Sequence, residues 1–140
     1  MKTNHSKVLE IIQKRCEKNS NVVGLVVFGS FATNQHTNNS DLDIILSFKQ
    51  LPQPIQERNK IVDEILQNVE EEYGVEINPI LAHDSSIVIS PLLIEIATYG
   101  KIILDKHSTF TTIFSTIQKQ YSQNQFQKIQ KEGYRIIQMK

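Results

Sequence analysis

The sequence predicts a single α/β or α+β domain, and three observations lead to that prediction. Its 140 residues suit one compact unit. Apolar runs rich in β-branched residues alternate with segments in which apolar residues recur at helical spacing. The connections are short, and the predicted order of elements is α-β-β-α-β-α-β-α. We expect one domain over 1–140, with a core over about 22–105 and a C-terminal helix with a basic, Gln/Lys-rich tail over about 108–140.

A helix and a buried strand open the chain. We predict the helix from Thr3 to about Asn19, because apolar residues recur there at helical spacing: Val8, Ile11, Ile12 and Cys16. The segment 21–28, NVVGLVVF, is apolar on both faces, which is typical of a central strand. Gly29-Ser30 ends this strand, and the letters SFAT that follow the glycine can open a short helix.

The middle of the chain contains two further strands and a helix between them. The polar loop 34–40 leads into a strand at 41–48, DLDIILSF. A linker with two prolines precedes a helix predicted over 55–72, and a strand follows at 75–82, VEINPILA. Pro79 lacks an N–H group, so it places this last strand at a sheet edge or at a bulge.

Helix start and stop signals organise the C-terminal third. Ser90 as N-cap, Pro91 at the first position and Gly100 at the end define a short helix, and 101–105 is the fourth strand. Ser108 is the predicted cap of a final helix. After residue 121 the composition turns to Gln, Lys and Asn, and both a last helical turn and a short strand remain open.

Composition excludes several functional classes. Fifteen basic and fifteen acidic residues give a formal net charge of zero, which argues against a dedicated nucleic-acid-binding protein. Cys16 is the sole cysteine, lies on the apolar face of the first helix, and fits a reduced, cytoplasmic setting. The sequence shows no signal-peptide pattern and no apolar run long enough for a membrane span. The basic tail fits a solvated helix face or an acidic partner.

Asp41 and Asp43 are the first candidate functional residues. Residues two apart in a strand project from the same face, so the two carboxylates lie side by side and repel when both are ionised. A shared proton or a hard divalent cation such as Mg²⁺ relieves that repulsion. Glu76, flanked by apolar residues at a strand start, is the candidate for a third carboxylate, or else an exposed acid of an edge strand. Asn78, one step along the same face, can instead lie behind the metal ligands.

Gly29 and Ser30 suggest an anion-binding turn. A glycine at the end of a buried strand lets the backbone approach a phosphate closely, and the Ser30 hydroxyl adds a donor. The alternative is a plain turn. The turn is not a Walker phosphate loop, because no Gly-Lys-Ser/Thr follows.

Together these motifs resemble a known family. Gly-Ser, ten residues, Asp-x-Asp between two strands, and then an apolar-acid-apolar strand is similar to the pattern of the polymerase-β-like nucleotidyltransferases. The resemblance covers about 22–105 and implies their fold, a small mixed sheet flanked by helices. Spacing and length look most like the minimal nucleotidyltransferases (MNT), several of which act as antitoxins beside HEPN-domain toxins.

The resemblance implies a reaction and roles for the named residues. Asp41 and Asp43 would bind two Mg²⁺ ions, and Glu76 would bind the one that activates the acceptor. Gly29 and Ser30 would hold the β- and γ-phosphates of ATP. AMP would pass to a hydroxyl, a tyrosine of a HEPN-type toxin in these antitoxins, so the partners expected are ATP and a toxin. A homo-oligomer or a hetero-oligomer with the toxin is open, and neither a membrane nor a nucleic acid is expected.

Two departures and two alternative functions stay open. Family members often have Arg and Gly where this chain has Thr33 and Asn34, and asparagine can adopt the left-handed conformation that glycine would. The acceptor can instead be a small-molecule hydroxyl, aminoglycoside-like. The second alternative function is a non-catalytic binding module that neutralises its partner by contact alone.

Overall fold

A four-stranded mixed sheet is the centre of the computed structural model, which describes residues 4–121 of the chain. The strand order is β3-β2-β1-β4. The first strand pairs antiparallel with the second and the fourth, and the second pairs parallel with the third. The strands are β1 (Val22–Phe28), β2 (Leu42–Phe48), β3 (Ile77–His83) and β4 (Lys101–Asp105).

Helices cover both faces of this sheet. They are α1 (Asn4–Lys18), α2 (Gly29–Ala32), α3 (Ile55–Leu66), α4 (Val69–Tyr73), α5 (Pro91–Tyr99) and α6 (Thr109–Tyr121). On one face α1, α3 and α4 pack against alternate strand residues such as Leu25 and Ile44. On the other face α5 and α6 pack against Val26 and Ile45. The two cores follow from the period of two along each strand.

Most sequence-based expectations about the elements are confirmed. The four strands lie where the apolar runs predicted them, and β1 is an interior strand because it pairs on both sides. Pro79 lies in β3, which is an edge strand. Cys16 is buried in the core. In α5 the Ser90 hydroxyl accepts a hydrogen bond from the Leu93 N–H, as predicted for an N-cap.

The single helix predicted over 55–72 is wrong, because the chain breaks it into α3 and α4. Asn68 lies between them in the left-handed conformation, with φ of 65°. The Arg15 guanidinium, from α1, donates to the carbonyl oxygens of Ile65 and Gln67 at 3.0 and 2.8 Å. This long-range contact satisfies carbonyls that a continuous helix would have used, and local periodicity does not reveal it.

The cap of α6 also differs from the prediction. The Asp105 carboxylate, not the Ser108 side chain, accepts from the N–H groups of Phe110 and Thr111, at 3.2 and 2.8 Å. The basic tail after residue 121 lies outside the described residues. Within residues 4–121, no helix is both long and apolar enough to cross a membrane.

Candidate active site

Asp41 and Asp43 lie where β2 begins, at the sheet edge that also holds the end of β1 and the start of β3. Leu42 between them is fully buried, while both aspartates are half-buried. Asp43 is opposite Phe28 of β1 and opposite Asn78 of β3. The pair predicted from alternation is therefore real, and it is fixed on an interior strand whose next five residues are buried.

Asn78 joins the two carboxylates. Its Nδ2 donates to Asp41 Oδ2 at 2.9 Å and to Asp43 Oδ1 at 3.3 Å. The parallel pairing of β2 with β3 places Asn78 directly beside Asp43, which brings its amide between the two acids. The structure thus adds a third polar side chain to the pair.

Glu76 lies just before β3 with an exposed side chain. Its backbone carbonyl accepts from the Leu42 N–H at 2.8 Å, so its main chain is beside the aspartate pair. Across residues 4–121 its carboxylate makes no hydrogen bond or ion pair, and no three His, Cys, Asp or Glu side chains gather into a group that could hold a metal ion. The role expected of Glu76 as a third ligand stays a prediction.

Gly29 lies against the Asp43 carboxylate. Its φ is +73°, which L side chains rarely adopt, and a Cβ built on it would collide with Asp43 Oδ2. A glycine is required here for both reasons. The Gly-Ser turn and the aspartate pair, separated by ten residues in the chain, are therefore in direct contact.

The turn that follows keeps its shape without the Arg and Gly common in the family. The Thr33 hydroxyl donates to the Ser30 carbonyl at 3.2 Å, and the Gln35 N–H donates to the same oxygen at 2.8 Å. Asn34 has a φ of 60°, which confirms that asparagine takes the left-handed conformation here. The cation of the family's Arg is not replaced by Thr33.

A cleft of about 930 Å³ opens beside Gly29 and Ser30, between α2 and α5. Its lining mixes hydroxyl and amide side chains with the partly exposed Leu92 and Tyr99. Within residues 4–121, Glu95 is the one charged residue that lines it, and none of the lining residues is Lys or Arg. The described part of the chain thus gives the cleft polar and apolar contacts but no side-chain cation.

A buried histidine, His5, anchors the loop between the two motifs. Sequence motifs alone did not identify this residue. His5 in α1 is 1% exposed, and its Nε2 donates to the Ser40 carbonyl at 2.6 Å. Its ring lies 4.8 Å from that of His36 and 6.1 Å from that of Phe31, between centroids. His5 continues the spacing of Val8 and Ile12, and that spacing was the signal for a buried position.

The donor set fits a divalent cation. Two carboxylates lie side by side, and among residues 4–121 neither one forms an ion pair with a Lys, Arg or His side chain. Asn78 supplies hydrogen bonds but no charge. Oxygen donors of this kind suit Mg²⁺, which is commonly held by one or two carboxylates together with substrate phosphates.

Comparison with known proteins places this geometry in a family. The sequence model described as Nucleotidyltransferase domain matches residues 8–111. A protein of Methanocaldococcus jannaschii, named for protein adenylyltransferase activity, is 28% identical over an alignment of 106 residues, and the match covers 72% of each chain.

Two solved structures share the fold. The first is a toxin–antitoxin complex with AMP-PNP, with a TM-score of 0.51 and 18% identity over 93% of this chain and 96% of that one. The second is a mutant of the toxin–antitoxin pair MntA–HpeT, with a TM-score of 0.53 and 14% identity over 92% and 95%. The predicted fold, a small mixed sheet flanked by helices, is confirmed. The chain belongs to the nucleotidyltransferase domain family.

Proposed function

We propose that this nucleotidyltransferase transfers AMP from ATP, with Mg²⁺, to a tyrosine hydroxyl of a partner protein. The observation that carries the proposal is the contact of Gly29 with Asp43, because it supports a site in which the turn proposed to bind phosphate adjoins the carboxylate pair. The relative named for protein adenylyltransferase activity supports AMP as the transferred group and a protein as the acceptor.

Asp41 and Asp43 are the proposed ligands of two Mg²⁺ ions. Glu76 is the proposed third carboxylate, since it lies just before β3 and its backbone carbonyl accepts from the Leu42 N–H, beside the aspartate pair. Its exposed side chain is free of competing hydrogen bonds within the described part of the chain. When bound, Mg²⁺ lowers the pKa of the attacking hydroxyl and stabilises charge on the leaving phosphates.

Gly29 and Ser30 are the proposed contacts of the β- and γ-phosphates. Gly29 has no side chain to keep a phosphate away, and Ser30 adds a hydroxyl donor. The adjoining cleft of about 930 Å³ has room for a nucleotide. Because no Lys or Arg of residues 4–121 lines that cleft, we expect a divalent ion held by the aspartate pair to balance the phosphate charge. ATP binding is therefore expected to require the divalent ion.

The proposed step is an in-line displacement at the α-phosphorus. The acceptor oxygen forms a bond to that phosphorus, and the bond from it to the oxygen bridging to the β-phosphate breaks. Pyrophosphate leaves with the bonding electrons. The acceptor proton passes to the Glu76 carboxylate and from there to water. Asp41 and Asp43, held on a rigid strand, fix the reacting groups in position, which is the main contribution of a protein to phosphoryl transfer.

The proposed partner is a HEPN-type toxin, which this chain would silence as its antitoxin. Both reported solved structures are of toxin–antitoxin complexes, and one contains an ATP analogue. Similarity at 14–18% identity shows the fold alone. The toxin partner is therefore inferred from two facts together: both similar structures are toxin–antitoxin complexes, and the motifs resemble those of the MNT family.

The test measures label transfer from α-³²P-ATP to the protein encoded in the neighbouring reading frame, with Mg²⁺ present. We expect labelled acceptor with the wild type and none with Asp41→Ala/Asp43→Ala. Asp63→Ala/Glu64→Ala, which removes two exposed acids of α3, is the matched control and should transfer normally. Transfer that persists without Asp41 and Asp43 would contradict the proposal. Intact mass of the co-expressed acceptor counts the AMP groups.

A further inference from the structure

Asn78 uses one atom to hold both aspartates. An amide nitrogen carries two hydrogens, and Nδ2 of Asn78 directs one to Asp41 Oδ2 and the other to Asp43 Oδ1. This arrangement depends on the register of β3 against β2, which places Asn78 opposite Asp43. The two bonds fix the carboxylates relative to each other as well as to the sheet.

Each carboxylate keeps its second oxygen outside these two bonds. For Asp41 this is Oδ1, and for Asp43 it is Oδ2, the atom that lies against Gly29. The amide therefore occupies one side of the pair and leaves the oxygen beside the Gly-Ser turn to a cation. Hydrogen bonds to ligating carboxylates orient them and commonly change metal affinity 10- to 100-fold.

The fold itself gives no reason for an asparagine at this position. Asn78 is exposed on an edge strand, and asparagine is among the residues depleted in strands. Its neighbour Ile77 makes the core contact. Within residues 4–121, the bonds to Asp41 and Asp43 are the only hydrogen bonds of the Asn78 side chain, so they are what that side chain contributes.

We infer that Asn78 is a positioning residue for the metal-binding pair, which it aligns without adding a further negative charge. The inference rests on the proposed function, since it assigns Asn78 a role toward the ions that Asp41 and Asp43 would hold. A carboxylate at this position would add one more negative charge directly beside Asp41 and Asp43, and the site would bind a cation more tightly. An apolar side chain would leave the two acids unaligned.

The test measures Mn²⁺ affinity by electron paramagnetic resonance on the full chain without nucleotide. Asn78→Leu removes both hydrogen bonds at similar size and is expected to weaken Mn²⁺ binding about tenfold or more. Asn78→Asp is expected to tighten it about tenfold, because ligand charge sets affinity at such sites. Asn38→Leu, the same change at an exposed loop position, should bind as the wild type does. Asp41→Asn/Asp43→Asn should abolish binding.

Melting temperatures with EDTA and with Mn²⁺ separate positioning from a merely structural role. In EDTA, Asn78→Asp should melt below the wild type, because the added carboxylate repels Asp41 and Asp43. Mn²⁺ should raise the melting temperature of this variant by more than it raises that of the wild type. If Asn78→Leu and the wild type bind Mn²⁺ with equal affinity, this inference is overturned and the proposed function is not affected. Asn78→Asp binding as weakly as Asn78→Leu would also overturn it. A wild type that binds no Mn²⁺ would overturn the metal site of the proposed function, and this inference with it.

Discussion

The backbone of Gly29 and the carboxylate of Asp43 are in contact, with no space between them for even one methyl group. The two residues lie on neighbouring antiparallel strand ends, since Phe28 pairs with Asp43. This contact joins the turn expected to hold phosphate to the acids expected to hold metal. The consequences of disturbing it can be separated from those of backbone strain alone.

Gly29→Ala should impair both stability and transfer. A positive φ costs about 1 kcal/mol for a residue with a Cβ, and displacing Asp43 adds about 1–3 kcal/mol. Gly74 is the matched control, because its φ is +67° but nothing lies within 4 Å of an added Cβ. Gly74→Ala should lose only the stability that the positive φ costs, and its transfer rate should stay unchanged. Urea unfolding and label transfer check this, and equal losses in the two variants would contradict the contact.

Asp43→Asn should slow transfer strongly without weakening the fold. The amide keeps an oxygen for the hydrogen bond from Asn78 but removes one of the two negative charges. Loss of metal-based stabilisation of the transition state is worth several kcal/mol, which is about 100-fold or more in rate. The melting temperature in EDTA should not fall, because repulsion with Asp41 is relieved.

Chelation gives the corresponding result for the wild type. EDTA should stop label transfer and abolish ATP binding measured by calorimetry, and excess Mg²⁺ should restore both. ATP binding of equal affinity in EDTA would show that the cleft balances phosphate charge by other means.

His5→Phe should destabilise the chain by about 1–2 kcal/mol, because the Ser40 carbonyl loses its buried donor while the ring volume is kept. The loop between Ser30 and Asp41 would lose an anchor, so the KM for ATP should rise. His107→Phe is the comparison. His107 is exposed and pairs with Asp84 at 3.1 Å, a surface contact worth less than about 1 kcal/mol. Chemical denaturation gives the free energy of unfolding of both variants. A larger loss of stability for His107→Phe than for His5→Phe would contradict the prediction.

Cys16 should be nearly inert in the folded chain. Burial raises the pKa of its thiol to about 12, an effect that the charge of Lys106 opposes. At pH 8 only about one thiol in ten thousand is then ionised, and the thiolate is the reactive form. Labelling by a thiol-specific disulfide reagent should be slow in buffer and fast in urea. Rapid labelling without denaturant would mean that α1 opens readily.

Much of this architecture could be predicted from local patterns. Apolar runs located all four strands, and the period of two placed Asp41 and Asp43 on one face with Leu42 in the core. The helical spacing of α1 predicts that Cys16 is buried, and the same spacing continued toward the N-terminus reaches His5, which is also buried. The break between α3 and α4 was not predictable locally, because it depends on Arg15 of another helix.

The neighbours of the aspartate pair show where sequence information ends. Alternation puts Glu76 and Asn78 on the same face, and the sequence favoured the acid on chemical grounds. The structure places the Asn78 amide on both carboxylates and the Glu76 side chain in solvent. The sequence by itself determined the pair, the glycine turn and the faces of the strands, because side-chain direction repeats every two residues. Only the tertiary structure decided which residues meet, because the register between strands distant in the chain is set by how the whole sheet packs.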